Sequence, residues 1–81
     1  MTIKACKRIY ADFNNCDEPG RVRLNTIGSL RDLDHVGPLK EGEMLELYDT
    51  ELRVVGKAEF SRVDNIWTAQ FDPEKVTSIE S

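Results

Sequence analysis

Residues 51–72, "ELRVVGKAEFSRVDNIWTAQFD", constrain the fold more than any other stretch of the chain. Two runs alternate apolar and polar residues with a period of two, the signature of half-buried strands. They meet at "RVDN", a cluster of turn formers, so the stretch predicts a β-hairpin. Its inward row is Leu52, Val54, Ala58 and Phe60 on the first strand and Trp67, Ala69 and Phe71 on the second. Arg53, Val55, Lys57 and Glu59 then point outward, as do Ile66, Thr68 and Gln70. Gly56 falls on the inward row, where a missing side chain predicts a bend, a bulge or a close backbone crossing. Trp67 and Phe60 are expected to be buried against Leu45, Leu47 and Val54.

A hairpin needs further strands to cover its apolar face, and the rest of the chain offers three. In "KRIYADF", residues 7–13, Ile9, Ala11 and Phe13 alternate with Arg8, Tyr10 and Asp12. A helix competes there, because Cys6, Ile9, Tyr10 and Phe13 also recur at three and four. Ile, Tyr and Phe suit a pleated surface and no capping residue opens a helix, so the strand is preferred. "NNCDEPG" reads as a loop, after which "RVRLN" places Val22 and Leu24 inward and Arg21 and Arg23 outward. These two segments are expected to form a second hairpin with a long loop. In Glu43–Tyr48, following a turn at Lys40–Gly42, Leu45 and Leu47 face one way, and Met44, Glu46 and Tyr48 the other.

"GSLRDLDHVGP" breaks the pattern. Leu30, Leu33 and Val36 recur at spacing three, Ser29 stands as an N-cap with Asp32 three residues on, and Gly37–Pro38 supply a stop. One or two helical turns are expected, against the competing reading of an irregular loop. Asp72 before Pro73 predicts a last short helical turn. Five short strands with glycine-marked turns predict an all-β fold: a small five-stranded barrel, SH3-like or OB-like, with one short helical turn between strands 2 and 3. The likeness to SH3-like barrels is one of pattern and size and transfers no functional residue. All 81 residues are read as one domain.

Several function classes fit poorly. No apolar run nears the roughly 18 residues of a membrane span. "MTIKACKRIY" has no uninterrupted apolar segment after its charges, so no secretory signal is read there and a cytoplasmic location is expected. Cys6 and Cys16 are too few for a disulfide scaffold and lack C-x-x-C spacing; two reduced thiols are expected, with a Cys6–Cys16 bridge as the competing reading. His35 lies beside Asp32 and Asp34, but three groups within four residues do not converge on one point, and no metal site is assigned. Ser29 lacks the nucleophile-elbow glycines. The glycines are scattered singly, so no phosphate loop exists. With no convergent constellation, the chain is read as a non-enzyme without cofactor.

Charge and outward apolar residues offer two binding readings. Net charge is −4, yet residues 1–31 carry six basic residues against three acids and residues 32–81 five against twelve. Such asymmetry marks an interaction surface or vanishes when the halves pack together. Arg8, Tyr10, Arg21 and Arg23 would share an outer face if their strands were adjacent, a stacking and phosphate-contact surface for RNA or single-stranded DNA. Pairing of those arginines with Asp12, Glu46 or Glu59 explains the same residues. The acidic pI of about 4.9 also opposes a phosphate-binding role. Met44, Tyr48, Val55 and Ile66 are outward apolar residues on three consecutive strands, and clustered they would make a protein-docking face with a charged rim. A non-catalytic interaction module that docks a protein partner or self-associates, as in a homodimer, is the function expected from sequence, with nucleic-acid binding as the alternative.

Overall fold

The computed structural model describes residues 6–79. Its strands are β1 Lys7–Tyr10, β2 Cys16–Glu18, β3 Arg21–Arg23, β4 Met44–Tyr48, β5 Leu52–Ser61, β6 Ile66–Gln70 and β7 Thr77–Ser78. Helix α1, Ile27–Val36, falls between β3 and β4, and a 3-10 turn spans Pro73–Lys75. The fold is mostly β with one helix. The helix lies where a helical turn was expected, and it is longer, at ten residues. Its N-cap is Thr26 rather than Ser29. The Thr26 hydroxyl accepts the Ser29 N–H at 3.1 Å, because any Ser or Thr three residues ahead can satisfy that orphan donor. Gly37 closes the helix as expected, its N–H donating to Leu33 O at 3.1 Å. Asp72 caps the last turn by accepting from the Glu74 N–H at 3.0 Å.

The sheet runs in the order β1-β4-β5-β6-β3-β2, with β7 also on β5. It is open and has seven strands, not a closed five-stranded barrel. Two local causes account for this. The segment 16–18, a loop by composition, pairs with β3 across Pro19 and Gly20, its Asp17 held by Arg21 at 2.7 Å. The expected hairpin between segments 7–13 and 21–25 does not form; β1 instead lies parallel to β4, with Ile9 opposite Leu47. The outer edge of β1 is taken by α1, where Asp32 accepts the Tyr10 N–H at 2.9 Å and the Ser29 hydroxyl donates to Tyr10 O. A helix thus satisfies the edge that barrel closure would have used.

The sheet is nevertheless curled. A flat path of six strands separates its outer members by about 24 Å. The six residue steps from Tyr10 on β1 to Cys16 on β2 reach at most about 22 Å fully extended, and a turn between Asp12 and Asn15 shortens them. The inside of the curl is the core: Ile9, Ala11, Val22, Leu24, Leu39, Leu45, Leu47, Val54, Ala58 and Ala69. All but Leu39 belong to the inward rows read from alternation. Trp67 and Phe60 sit at the rim rather than the centre, both half-buried, as an edge-to-face pair with centroids 5.2 Å apart. Thr68, assigned outward, is fully buried between its register partners Arg23 and Glu59, and its hydroxyl donates to Glu59 O at 2.8 Å. At Gly56 a Cβ would stand 2.6 Å from Gln70 O and 3.0 Å from Leu47 Cδ1, the close approach that the gap in the inward row implied. β5 pairs with β4 through Arg53–Lys57 and with β6 through Lys57–Ser61, so it changes its main partner near this glycine.

Candidate docking face

The outer face of β4 and β5 follows from register. Met44 stands opposite Lys57, Glu46 opposite Val55, and Tyr48 opposite Arg53. Met44 and Val55 are therefore diagonal neighbours, a relation that puts backbones about 7–8 Å apart and lets long side chains touch. Their exposures of 45% and 52% leave both open to a partner. A shallow depression of about 500 Å³ lies beside them, bounded also by Lys57, Phe71 and Pro73. A second, of about 310 Å³, lies on the other side of Val55 and is lined by Glu46, Arg53, Lys75 and Thr77.

The other two residues of the expected patch are placed differently. Tyr48 shares the outer face but is half-buried and committed: its hydroxyl donates to Asp32 at 2.6 Å, its ring meets Tyr10 edge-on at 5.8 Å, and Arg8 stacks 4.4 Å over it. Donation to the Asp32 carboxylate, with burial second, raises the Tyr48 phenol above its ordinary pKa. Ile66 lies opposite Ser61, six residues along β5 from Val55, or about 20 Å of strand. The apolar centre is thus Met44 and Val55, and Ile66 stands apart.

The four residues of the alternative surface are divided between two regions. Arg8 and Tyr10 lie on β1 and Arg21 and Arg23 on β3, with β4, β5 and β6 between. Arg8 pairs with its register partner Glu46 at 3.4 Å. Arg21 is held by Asp17 at 2.7 Å, Glu59 at 3.5 Å and Glu18 at 3.9 Å. The Arg21 guanidinium holds the Asp17 carboxyl below the usual range, and the arginine is pushed upward in turn. Glu46 and Glu59 were the expected cross-strand partners, whereas Asp12 instead accepts the Asn14 N–H. Arg23 lies on β3 opposite Thr68, its N–H donates to Asn15 O at 2.9 Å, and its Nε is buried with no hydrogen-bond partner among the described residues.

By sequence, Asp32 is the acid three residues after the expected cap Ser29. It is the clamp that joins α1, β1 and Tyr48, and only the pairing of β1 with β4 beneath the helix reveals that. Among the described residues, no group of three or more His, Cys, Asp or Glu side chains stands ready to hold a metal ion. Cys6 is exposed and Cys16 half-buried, both with free thiols; burial, followed by the nearby Asp17 and Asp12, raises the Cys16 thiol. No helix among the described residues is long and apolar enough to cross a membrane. Comparison of the chain with models of known protein families, with curated protein sequences and with solved structures gives no match.

Proposed function

We propose that this protein is a non-catalytic interaction module whose docking face is the outer surface of β4 and β5, centred on Val55 and Met44. The observation that carries the reading is the diagonal placement of two half-exposed apolar side chains between charged neighbours. An apolar centre with a polar rim is the ordinary anatomy of a protein-binding patch. The Val55 side chain points away from the core and is not among the buried core residues. Its partner is a protein, either a different chain or a second copy of this one.

The test substitutes Val55 with two opposite charges. Val55→Asp faces Glu46 across the strand pair, so part of its effect on stability is like-charge repulsion of about 1 kcal/mol or less. Val55→Lys faces the same carboxylate favourably. Both variants should fold, with melting temperatures near that of the unaltered protein, and Val55→Asp should lose self-association or partner capture. A charge left unpaired at an interface centre costs several kcal/mol of binding. Arg21→Gln and Arg23→Gln should leave association intact. Nucleic-acid binding predicts the reverse: the arginine changes abolish it, salt weakens it steeply, and Val55→Asp matters little.

A further inference from the structure

Resting on the docking reading, the chemistry around Val55 narrows the class of partner: we propose that this face takes a short, extended, acidic peptide segment carrying one apolar side chain. Three observations converge on it. The first is charge. The ion pairs among the described residues engage Lys7, Arg8 and Arg21; Arg53, Lys57 and Lys75, which border the two depressions beside Val55, take part in none. Of the two acids bordering the same depressions, Glu46 is paired with Arg8 at 3.4 Å, while Asp72 accepts the Glu74 N–H at 3.0 Å and keeps its charge, so Arg53, Lys57 and Lys75 outnumber it. On a chain of net charge −4, this is a locally cationic spot, and potentials complementary to it belong to acidic partners.

The second observation is shape. The depression bounded by Met44, Phe71 and Pro73 offers an apolar seat next to Lys57. Its counterpart on the far side of Val55 offers Arg53, Lys75 and the Thr77 hydroxyl. An apolar side chain in the first and a carboxylate in the second lie within one short peptide's reach.

The third is backbone chemistry, which separates a peptide from an anionic membrane surface. Along one edge of β5, β7 pairs with Leu52 and Arg53 and β6 with Lys57–Ser61. Residues 54–56 face neither. Ala58 exchanges hydrogen bonds with the β4 side, accepting from the Gly42 N–H and donating to Glu43 O, each at 2.8 Å. By the alternation of an antiparallel ladder, Val55 directs its N–H and C=O to the opposite side, into the gap. One main-chain donor and acceptor at the patch centre can bond a peptide backbone in the three-residue gap that β6 and β7 leave on β5, whereas a lipid surface makes no use of them.

The experiment is selection of random 12-residue peptides on the intact protein, followed by anisotropy measurement of the selected peptides and amide chemical-shift mapping. Expected peptides pair Asp or Glu with Leu, Ile or Phe and shift the Val55 amide. They should lose about tenfold or more in affinity to a folded Arg53→Glu, Lys75→Glu variant. Peptides that map to Val55 but lack acids, or that bind the charge-reversed variant equally well, overturn the acidic class and leave the docking reading standing. Peptides mapping elsewhere, or binding to phosphatidylserine–phosphatidylcholine vesicles with no peptide selected, overturn the proposal. If Val55→Asp also leaves association unchanged, the docking reading falls independently.

Discussion

At the scale of single residues, the least expected finding is how much rests on positions with little or no side chain. Gly28 lies in the first turn of α1, where alanine would ordinarily gain up to about 1 kcal/mol of helix propensity. A Cβ there would stand 2.7 Å from Tyr10 Cδ2 and 3.0 Å from its Cγ. Those atoms are at the root of a ring already set edge-on to Tyr48, so the ring cannot simply swing away. Gly28→Ala is therefore expected to destabilise by about 1–3 kcal/mol, against its propensity, as read by chemical denaturation. Alternation cannot show such a position, because a glycine in a helix pattern reads only as a weakness. The same limit applies to Thr68, whose assigned face was outward while its register partners and hydroxyl bond keep it buried. A period of two identifies the side of a strand and not what stands on that side.

At the scale of elements, alternation was sufficient for facing and insufficient for pairing. Ile9, Val22, Leu24, Leu45, Leu47, Val54, Ala58 and Ala69 are buried as the inward rows require. Strand partnership depends on contacts distant in sequence, and the parallel pairing of β1 with β4 has no local signal. That pairing also decides the candidate site. It keeps Arg8 apart from Arg21 and Arg23 and brings Tyr48 under Asp32. The clamp between α1 and β1 makes its own prediction. Asp32→Ala removes the acceptor of both the Tyr10 N–H and the Tyr48 hydroxyl, leaving two part-buried donors unpaired at about 1–3 kcal/mol each. The Tyr10 amide should then exchange hydrogen much faster, while amides of the paired stretches Lys57–Ser61 and Ile66–Gln70, remote from the clamp, change little. Uniform acceleration across all strands would show that α1 is integral to global stability rather than an edge cover.

For the whole molecule, ion pairing sets the response to acid. Asp17 is held below its ordinary pKa by the Arg21 guanidinium. Glu43 is held down first by the Lys40 N–H and then by Lys7. A carboxyl whose folded pKa is depressed adds stability that is present above its unfolded value, near 4, and lost as pH falls through the folded value. The melting temperature should thus hold between neutrality and about pH 5 and drop below about pH 4. Arg21→Gln should flatten part of that drop, and a rise in stability on acidification would contradict the assignment.

The docking face is tested most directly by a photo-crosslinking residue, p-benzoylphenylalanine, placed at Val55 in one variant and at Val63 in another. Val63 is the more exposed of the two, 95% against 52%, but it lies in the β5–β6 turn, outside the Val55 depressions. If exposure alone governs contact, Val63 should capture more. A docking face centred on Val55 predicts specific adducts, to a partner or a second copy, from position 55 and few or none from position 63. Equal labelling, or adducts from position 63 alone, would contradict a docking face on β4 and β5.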